Sequence, residues 1–239
     1  MSSATDVNIK GVGTYDGVEA QVDPSHRALR VSLRPSEVGV LGSYSQAFAS
    51  GIMAAGLAAG APIFAMRWSS ATAIALVRRV RLTADTDATA FAQGSTLFDL
   101  IKATGFTVQD TGGAAISLAG KSGARSSRYP ASQIQIAASA TGNFAVANTA
   151  TLTAGTRTLD SNPLGTIVGG AGANPAISLL GTTPGYLIDP TEAARQPLEL
   201  WNNEGFVIRA TVPATGTWKF GVEVDWDEVD PARYFGLFG

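Results

Sequence analysis

The C-terminal segment 206–229 constrains the fold most, because apolar and polar residues alternate along it. Its second half places large apolar side chains at every second position: Trp218, Phe220, Val222, Val224 and Trp226. The positions between them are held by Thr217, Lys219, Gly221, Glu223, Asp225 and Asp227. Because successive side chains of a strand point to opposite faces, this pattern predicts a long strand with one buried face. Residues 206–212 predict a second strand, and residues 213–216 supply the turn of a hairpin between the two.

Composition limits the classes of protein to which the chain can belong. Charged residues make up 15% of its 239 residues, against roughly 25% in a typical soluble protein. A surface of small uncharged residues favours packing against further copies of the chain. The net charge of −2 argues against a nucleic-acid partner, and we interpret the basic cluster Arg78, Arg79 and Arg81 as strand residues facing solvent or a neighbouring subunit. The absence of cysteine excludes disulfides and thiolate metal sites.

Short apolar or alternating segments bounded by glycine and proline predict about eight to ten strands. They include residues 28–34, 44–51, 62–68, 72–83, 133–136 and 197–201. In the segment 72–83, the period of two places Leu76, Arg78, Val80 and Leu82 on one face. Residues 95–104 fit both helical and strand spacing, and we predict a strand. The glycine-rich residues 167–173 predict a flexible loop.

These elements together predict an all-β fold, a single-domain antiparallel β-sandwich of jelly-roll type. Residues 1–25 are expected to form an N-terminal arm or edge strand, residues 26–230 the sandwich domain, and residues 231–239 an aromatic C-terminal tail. The tail carries the candidate subunit-docking residues Tyr234, Phe235, Leu237 and Phe238. A short segment this apolar should not remain in water, so it either folds back or docks on a neighbouring subunit.

Residues 47–66 form an uncharged run long enough to be considered as a membrane span. The run is mostly alanine and glycine, contains Pro62, and has no flanking positive charge to set an orientation. We therefore predict two buried strands there and no membrane partner. The first ten residues show no basic region followed by an apolar run, which predicts no secretory signal.

Residues that could carry chemistry are few. The single histidine, His26, lies beside a turn and has no G-x-S-x-G nucleophile motif to accompany it, so we interpret it as a loop residue. The carboxylates of Glu223, Asp225 and Asp227 share one strand face, about 7 Å apart in successive pairs. Such a row either binds a hard cation such as Ca²⁺ or, more often, faces solvent or pairs with lysine or arginine across the sheet. We predict no catalytic residue, no metal site and no cofactor.

The C-terminal segment resembles the ending of a group of proteins encoded by tailed bacteriophages, in which NEGFVIR, TGTW and V-x-V-x-WDEV recur. Further similar stretches are ALRVSLRP at 28–35, GAPIFAMRW at 60–68, VRRVRL at 77–82, GFTVQDTGG at 105–113 and LTAGTRTLDSNPL at 152–164. The resemblance covers most of the chain and is weakest over the first 25 residues and residues 122–149. It implies a structural protein of the virion, assembled in the host cytoplasm, and it transfers no catalytic residue.

Three functions follow from this resemblance and composition. The first is a capsid cement or decoration subunit that binds the major capsid protein and copies of itself; the resemblance implies a homotrimer. The alternative is a tail, baseplate or head-fibre protein with a receptor-binding β-sandwich. The third is a carbohydrate-active enzyme, which would lose activity on host envelope material with a substitution such as Asp225→Asn. Of these we expect the first, and we expect no enzymatic activity.

Overall fold

The computed structural model describes residues 22–23, 28–29, 40–89, 92–116, 123–136, 143–171, 185–193 and 196–235. The chain divides into two compact units, Met1–Val38 and Gly39–Gly239. In the first unit, the described residues form one antiparallel pair of two-residue strands. The remainder of the strand predicted at 28–34 lies outside the described residues, as does His26. The predicted boundary after residue 25 stays a prediction.

The described residues form fifteen strands and three helices of four or five residues. The strands are β1 (Val22–Asp23), β2 (Ala28–Leu29), β3 (Val40–Ala49), β4 (Met53–Ala54), β5 (Ala61–Trp68), β6 (Ile74–Thr86), β7 (Gly94–Val108), β8 (Ala114–Ile116), β9 (Phe144–Val146), β10 (Thr156–Leu159), β11 (Gly165–Ala171), β12 (Gly185–Ile188), β13 (Leu198–Leu200), β14 (Glu204–Thr211) and β15 (Thr217–Val229). The helices are α1 (Gln133–Ile136), α2 (Pro190–Ala193) and α3 (Pro231–Phe235).

The second unit consists of two antiparallel sheets packed against each other, which agrees with the predicted all-β sandwich. Sheet I has the strand order β10-β7-β14-β5-β9-β8, and β11 also pairs with β7. Sheet II has the order β12-β6-β15-β3, with β13 beside β6 and β4 beside β15. Strand β14 therefore lies between two long partners in sheet I, and β15 lies between two long partners in sheet II.

The hairpin predicted between β14 and β15 is wrong. Both strands form, but β14 pairs with β5 and β7 while β15 pairs with β3 and β6. The connection from Val212 to Gly216 passes from one sheet to the other, and Gly216 takes a φ of 112° that favours glycine. An alternating pattern specifies which face of a strand is buried, not which strand is its neighbour. Turn residues between two strands fit a sheet crossing as well as a hairpin.

The core between the sheets is rich in aromatic side chains. The buried face predicted for β15 is confirmed, since Trp218, Phe220, Val222, Val224 and Trp226 are each at most 3% exposed. Rings from opposite sheets meet at centroid distances of 5.3 Å for Phe48–Phe64 and 5.6 Å for Phe144–Trp226. Burial of each such ring contributes about 1.5–3 kcal/mol. These contacts hold the two sheets together.

A β-bulge in β6 changes which of its residues face the core. Opposite β15, Asp225 pairs with Arg79 but the next residue, Trp226, pairs with Val77, so Arg78 is the extra residue of the bulge. A bulged residue shifts the alternation by one position. Val77 and Val80 therefore both belong to the main core, whereas Leu76 packs with Ile74 and Val229 in a second cluster. The predicted common face of Leu76, Arg78, Val80 and Leu82 is therefore wrong for Leu76 and for Arg78, which pairs with Asp227 on the outer face.

The structure also tests the predictions made for five other segments. The strands expected near 44–51, 62–68 and 95–104 are confirmed as β3, β5 and β7. The loop expected at 167–173 is wrong for its described part, because β11 runs in seven-residue register with β7. The strand expected at 133–136 is wrong because these residues form α1, where the Ser132 hydroxyl accepts the Ile134 amide as a helix cap. Among the described residues no helix is long and apolar enough to cross a membrane.

Candidate functional site

The acidic row on the outer face of β15 pairs with arginines of the neighbouring strand β6. Asp227 Oδ2 lies 3.0 Å from Arg78 Nε, and Asp225 Oδ2 lies 3.0 Å from Arg79 Nε. Glu223 Oε2 is shared by Arg79 and Arg81, at 3.1 and 3.2 Å. The register produces these pairs, because Asp225 lies directly opposite Arg79 and Glu223 opposite Arg81. Pairing across the sheet, one of the two interpretations of the row, is therefore observed.

Strand β3 and a loop contact the same carboxylates from the other side. Ser43 Oγ donates to Asp227 Oδ1 at 2.5 Å, and Ser45 Oγ donates to Asp225 Oδ1 at 2.6 Å. Arg125 NH2 approaches Asp225 Oδ2 at 2.7 Å. A cation binding here would have to displace several guanidinium contacts. The part of the chain that the structure describes contains no group of three or more potential metal ligands suited to an ion.

An open depression on this face, of about 200 Å³, is lined by Arg81, Thr83 and Glu223 beside the backbone of Gly221. Arg81 and Glu223 pair with each other, and the Thr83 hydroxyl donates to the Gly221 carbonyl at 3.4 Å. The polar groups of the depression are thus engaged with one another. We assign no ligand to it.

Glu228 differs from the acidic residues before it, because it lies on the core face of β15 and is only 1% exposed. Its Oε1 accepts hydrogen bonds from the Ser132 hydroxyl and from Trp226 Nε1. Its Oε2 accepts the Gln133 amide at 2.8 Å. Burial raises the pKa of the Glu228 carboxyl, although these donors oppose the shift. The two-residue period of β15 places Glu228 on the buried face, because it stands two residues after Trp226.

A second buried acid, Asp110, follows the end of β7. Its Oδ2 lies 2.7 Å from Arg157 NH2, and the two side chains are 0% and 4% exposed. Asp110 Oδ1 also accepts the Gly155 amide at 2.9 Å, and the Arg157 guanidinium lies 5.6 Å from the centre of the Phe106 ring. The pair joins the end of β7 to β10, across 47 residues of sequence. No local pattern in the sequence marks this pair, since each residue stands in a polar loop or a short strand.

Arg67 of β5 is buried among carbonyl oxygens. It is 5% exposed, and its NH1 donates to the Thr107 carbonyl at 2.6 Å. Its NH2 donates to Asn143 Oδ1 at 3.3 Å, while Asn143 Nδ2 donates to the Ile134 carbonyl. Burial lowers the pKa of Arg67. These bonds tie α1 to sheet I, and the residue serves the fold.

Of the predicted docking residues, the structure describes the side chain of Tyr234 only. It packs against the cluster of Ile74, Leu76 and Val229, and its hydroxyl donates to Glu199 Oε1 at 3.2 Å. Burial is the largest cause of a raised pKa for this hydroxyl. Phe235 ends α3, and Leu237 and Phe238 lie outside the described residues. Tyr234 thus folds back on its own unit, while docking by the others stays a prediction.

Apolar side chains are exposed on the described edge of sheet I. Val168 of β11 is 69% exposed, and the neighbouring Leu164 is 54% exposed. The segment 161–171 carries no charged residue. An uncharged and regular edge strand is a surface to which further strands or subunits readily add.

No family model, curated protein or solved structure matches this chain. A functional proposal therefore rests on the fold, on the contacts above and on the sequence resemblance.

Proposed function

We propose that this chain is a structural subunit of a tailed-bacteriophage virion, a cement or decoration protein with a jelly-roll fold. It binds the capsid shell beside the major capsid protein, associates with copies of itself as a trimer, and has no enzymatic activity. The strand pairing is the observation that carries the proposal.

The pairing supports a jelly roll, a fold in which a long antiparallel hairpin wraps around a core. The first long strand of the second unit, β3, lies beside the last, β15, and β5 lies beside β14. Further inside the sequence, β6 lies beside β12 and β13, and β7 beside β10 and β11. Four nested pairs of this kind support the jelly-roll assignment. The fold is common among viral capsid domains, although lectins and cupins share it.

The surface supports a role in assembly. The carboxylates of the acidic row on sheet II are already paired with arginines and serines, and so form a ladder rather than a reactive centre. The exposed Val168 and Leu164 lie on an uncharged edge that a neighbouring subunit can cover. The resemblance of the C-terminal segment to phage proteins then selects a virion among the assemblies built from jelly rolls.

The test is to locate and count this protein in purified virions. We expect a copy number close to that of the major capsid protein, and cryo-electron microscopy density spread over the icosahedral shell. A few copies per particle, with density at the tail or at one vertex, would replace the cement role by the tail, baseplate or head-fibre role. Absence of the protein from washed particles would reject both. Light scattering on the purified protein tests the trimer separately.

A further inference from the structure

Strand β11 forms an edge of sheet I whose outer side no strand covers among the described residues. It runs from Gly165 to Ala171 in an unbroken antiparallel register with β7, its only strand partner in the described part of the chain. Its seven residues include no charged residue and no proline. Charges, prolines and bulges are the features by which proteins keep edge strands from pairing with other chains. Because β11 contains none of these, its outer edge is suited to pairing with another strand.

The outer edge of β3, in sheet II, is covered instead. The Ser45 amide donates to the Gly123 carbonyl at 2.7 Å, and the Arg125 amide donates to the Ser43 carbonyl at 2.9 Å. These bonds occupy backbone groups of β3 on the side away from β15. Within the described residues, no backbone hydrogen bond of this kind reaches the outer side of β11. Of these two edges, β11 is therefore the one that is open to a partner.

One hydrogen bond identifies the backbone groups of β11 that point away from β7. The Leu164 amide donates to the Leu100 carbonyl at 2.8 Å, so the backbone of Leu100 faces β11. In the register Leu100 lies opposite Gly165. Alternate residues of an antiparallel strand direct their N–H and C=O groups to opposite sides, so those of Val168 and Gly170 point away from β7. These two residues offer the donors and acceptors that a further strand uses.

The side chains at these two positions are complementary in size. Val168 is 69% exposed, whereas a Cβ added at Gly170 would meet no atom within 4 Å. A second β11, antiparallel to the first about a two-fold axis through Gly169, places Val168 of each copy opposite Gly170 of the other. The exposed side chain then lies beside a position that has none, on both sides of the axis. Because the strand is uncharged, the two copies bring no like charges together.

We propose that two copies of this chain associate through β11, by antiparallel pairing of the two strands about a two-fold axis at Gly169. The two copies of sheet I then form one continuous sheet, and each copy contributes the same surface. A strand of another protein could bond to the same backbone groups, but the order of Val168 and Gly170 is matched by a second copy. Such an axis joins copies two at a time, so trimers that also pair in this way form hexamers. The inference does not rest on the virion proposal.

Analytical ultracentrifugation of the full chain over a concentration series tests the association. We expect dimers, or hexamers where trimers form, at the highest concentrations. Val168→Lys and Gly170→Val should each weaken the pairing by about tenfold or more, because each change occurs on both sides of the axis. Gly170→Val should still fold, since a side chain at this position meets open space within one copy.

Ile52→Lys is the matched control, because Ile52 is 48% exposed and lies between β3 and β4, away from β11 in sequence. Its association should equal that of the wild type. A wild type without even-numbered assemblies, or equal weakening by Ile52→Lys and Val168→Lys, would refute the proposal.

Single cysteines report the register of the pairing, because the chain itself contains none. Val168→Cys and Gly170→Cys are purified separately, mixed and oxidised. In the proposed pair these positions lie opposite each other, with Cα atoms about 5.5 Å apart, which a disulfide can span. Two copies of one variant place their cysteines diagonally, about 7–8 Å apart, which a disulfide does not span.

We therefore expect cross-linked dimers in the mixture and far fewer in either cysteine variant alone. Equal cross-linking in the mixture and in the single variants would overturn the proposed register. No cross-linking in the mixture would overturn the pairing of two copies and leave the edge to a strand of a different protein.

Discussion

The buried pair of Asp110 and Arg157 makes a quantitative prediction about the stability of the fold. Burial raises the pKa of Asp110 and lowers that of Arg157, so loss of water weighs more than the attraction between the charges. Removing one partner leaves the other charge buried without compensation. We expect Asp110→Ala to lower the free energy of unfolding by about 3–5 kcal/mol, and Arg157→Ala by a similar amount. For a domain of this size the midpoint of thermal unfolding should fall by about 6–20 °C.

The double variant decides whether the reasoning is right. When both charges are removed, no uncompensated charge stays buried, so the double variant should lose far less stability than the two single losses added together. Denaturant unfolding of the four proteins gives the coupling energy, which we expect to be several kcal/mol. The pair of Lys102 and Glu204, at 3.2 Å and with side chains 26% and 21% exposed, is the matched control. Its cycle should give about 0.2–1 kcal/mol. Additive losses at Asp110 and Arg157 would show that the pair is not a unit.

Three further substitutions test the packing. Phe144→Ala should lower the free energy of unfolding by about 3–5 kcal/mol, because Phe144 is fully buried and its ring centroid lies 5.6 Å from that of Trp226. Urea unfolding measures this loss, and a value below about 1 kcal/mol would contradict a tightly packed core. Gly205→Ala should destabilise the protein, because the added Cβ would collide with the backbone oxygen of Met66, whereas Gly170→Ala meets nothing within 4 Å and should unfold at or slightly above the wild-type midpoint.

The buried face of a strand was predictable from the sequence, because it depends on the two-residue alternation of apolar and polar residues. The alternation along β15 identified the buried apolar residues from Trp218 to Trp226, whereas the buried Val229 lies outside that alternation. The same period set the row of Glu223, Asp225 and Asp227 apart on the outer face. The two-residue period also placed Glu228 with the buried residues. A side chain's direction relative to its neighbours is fixed by the backbone within a few residues.

Features that depend on distant residues were not predictable. The alternating pattern of β15 does not indicate that β14 belongs to the other sheet. The bulge at Arg78 places Leu76 on another face, and this bulge exists only in the register with β15. The glycine-rich β11 is a strand because β7 supplies its backbone partners, and α1 forms where Glu228 and Ser132 accept its first amides.

The sequence by itself determined that the chain is rich in strands, which residues of its last strand are buried, and that the acidic row would lie on one face. Only the tertiary structure decided which strands are neighbours, that Gly123 and Arg125 bond to the backbone of β3, and that Asp110 meets Arg157. The reason is physical. The direction of a side chain follows from local backbone geometry, whereas strand pairing and buried charge pairs depend on the free energy of contacts between residues far apart in sequence.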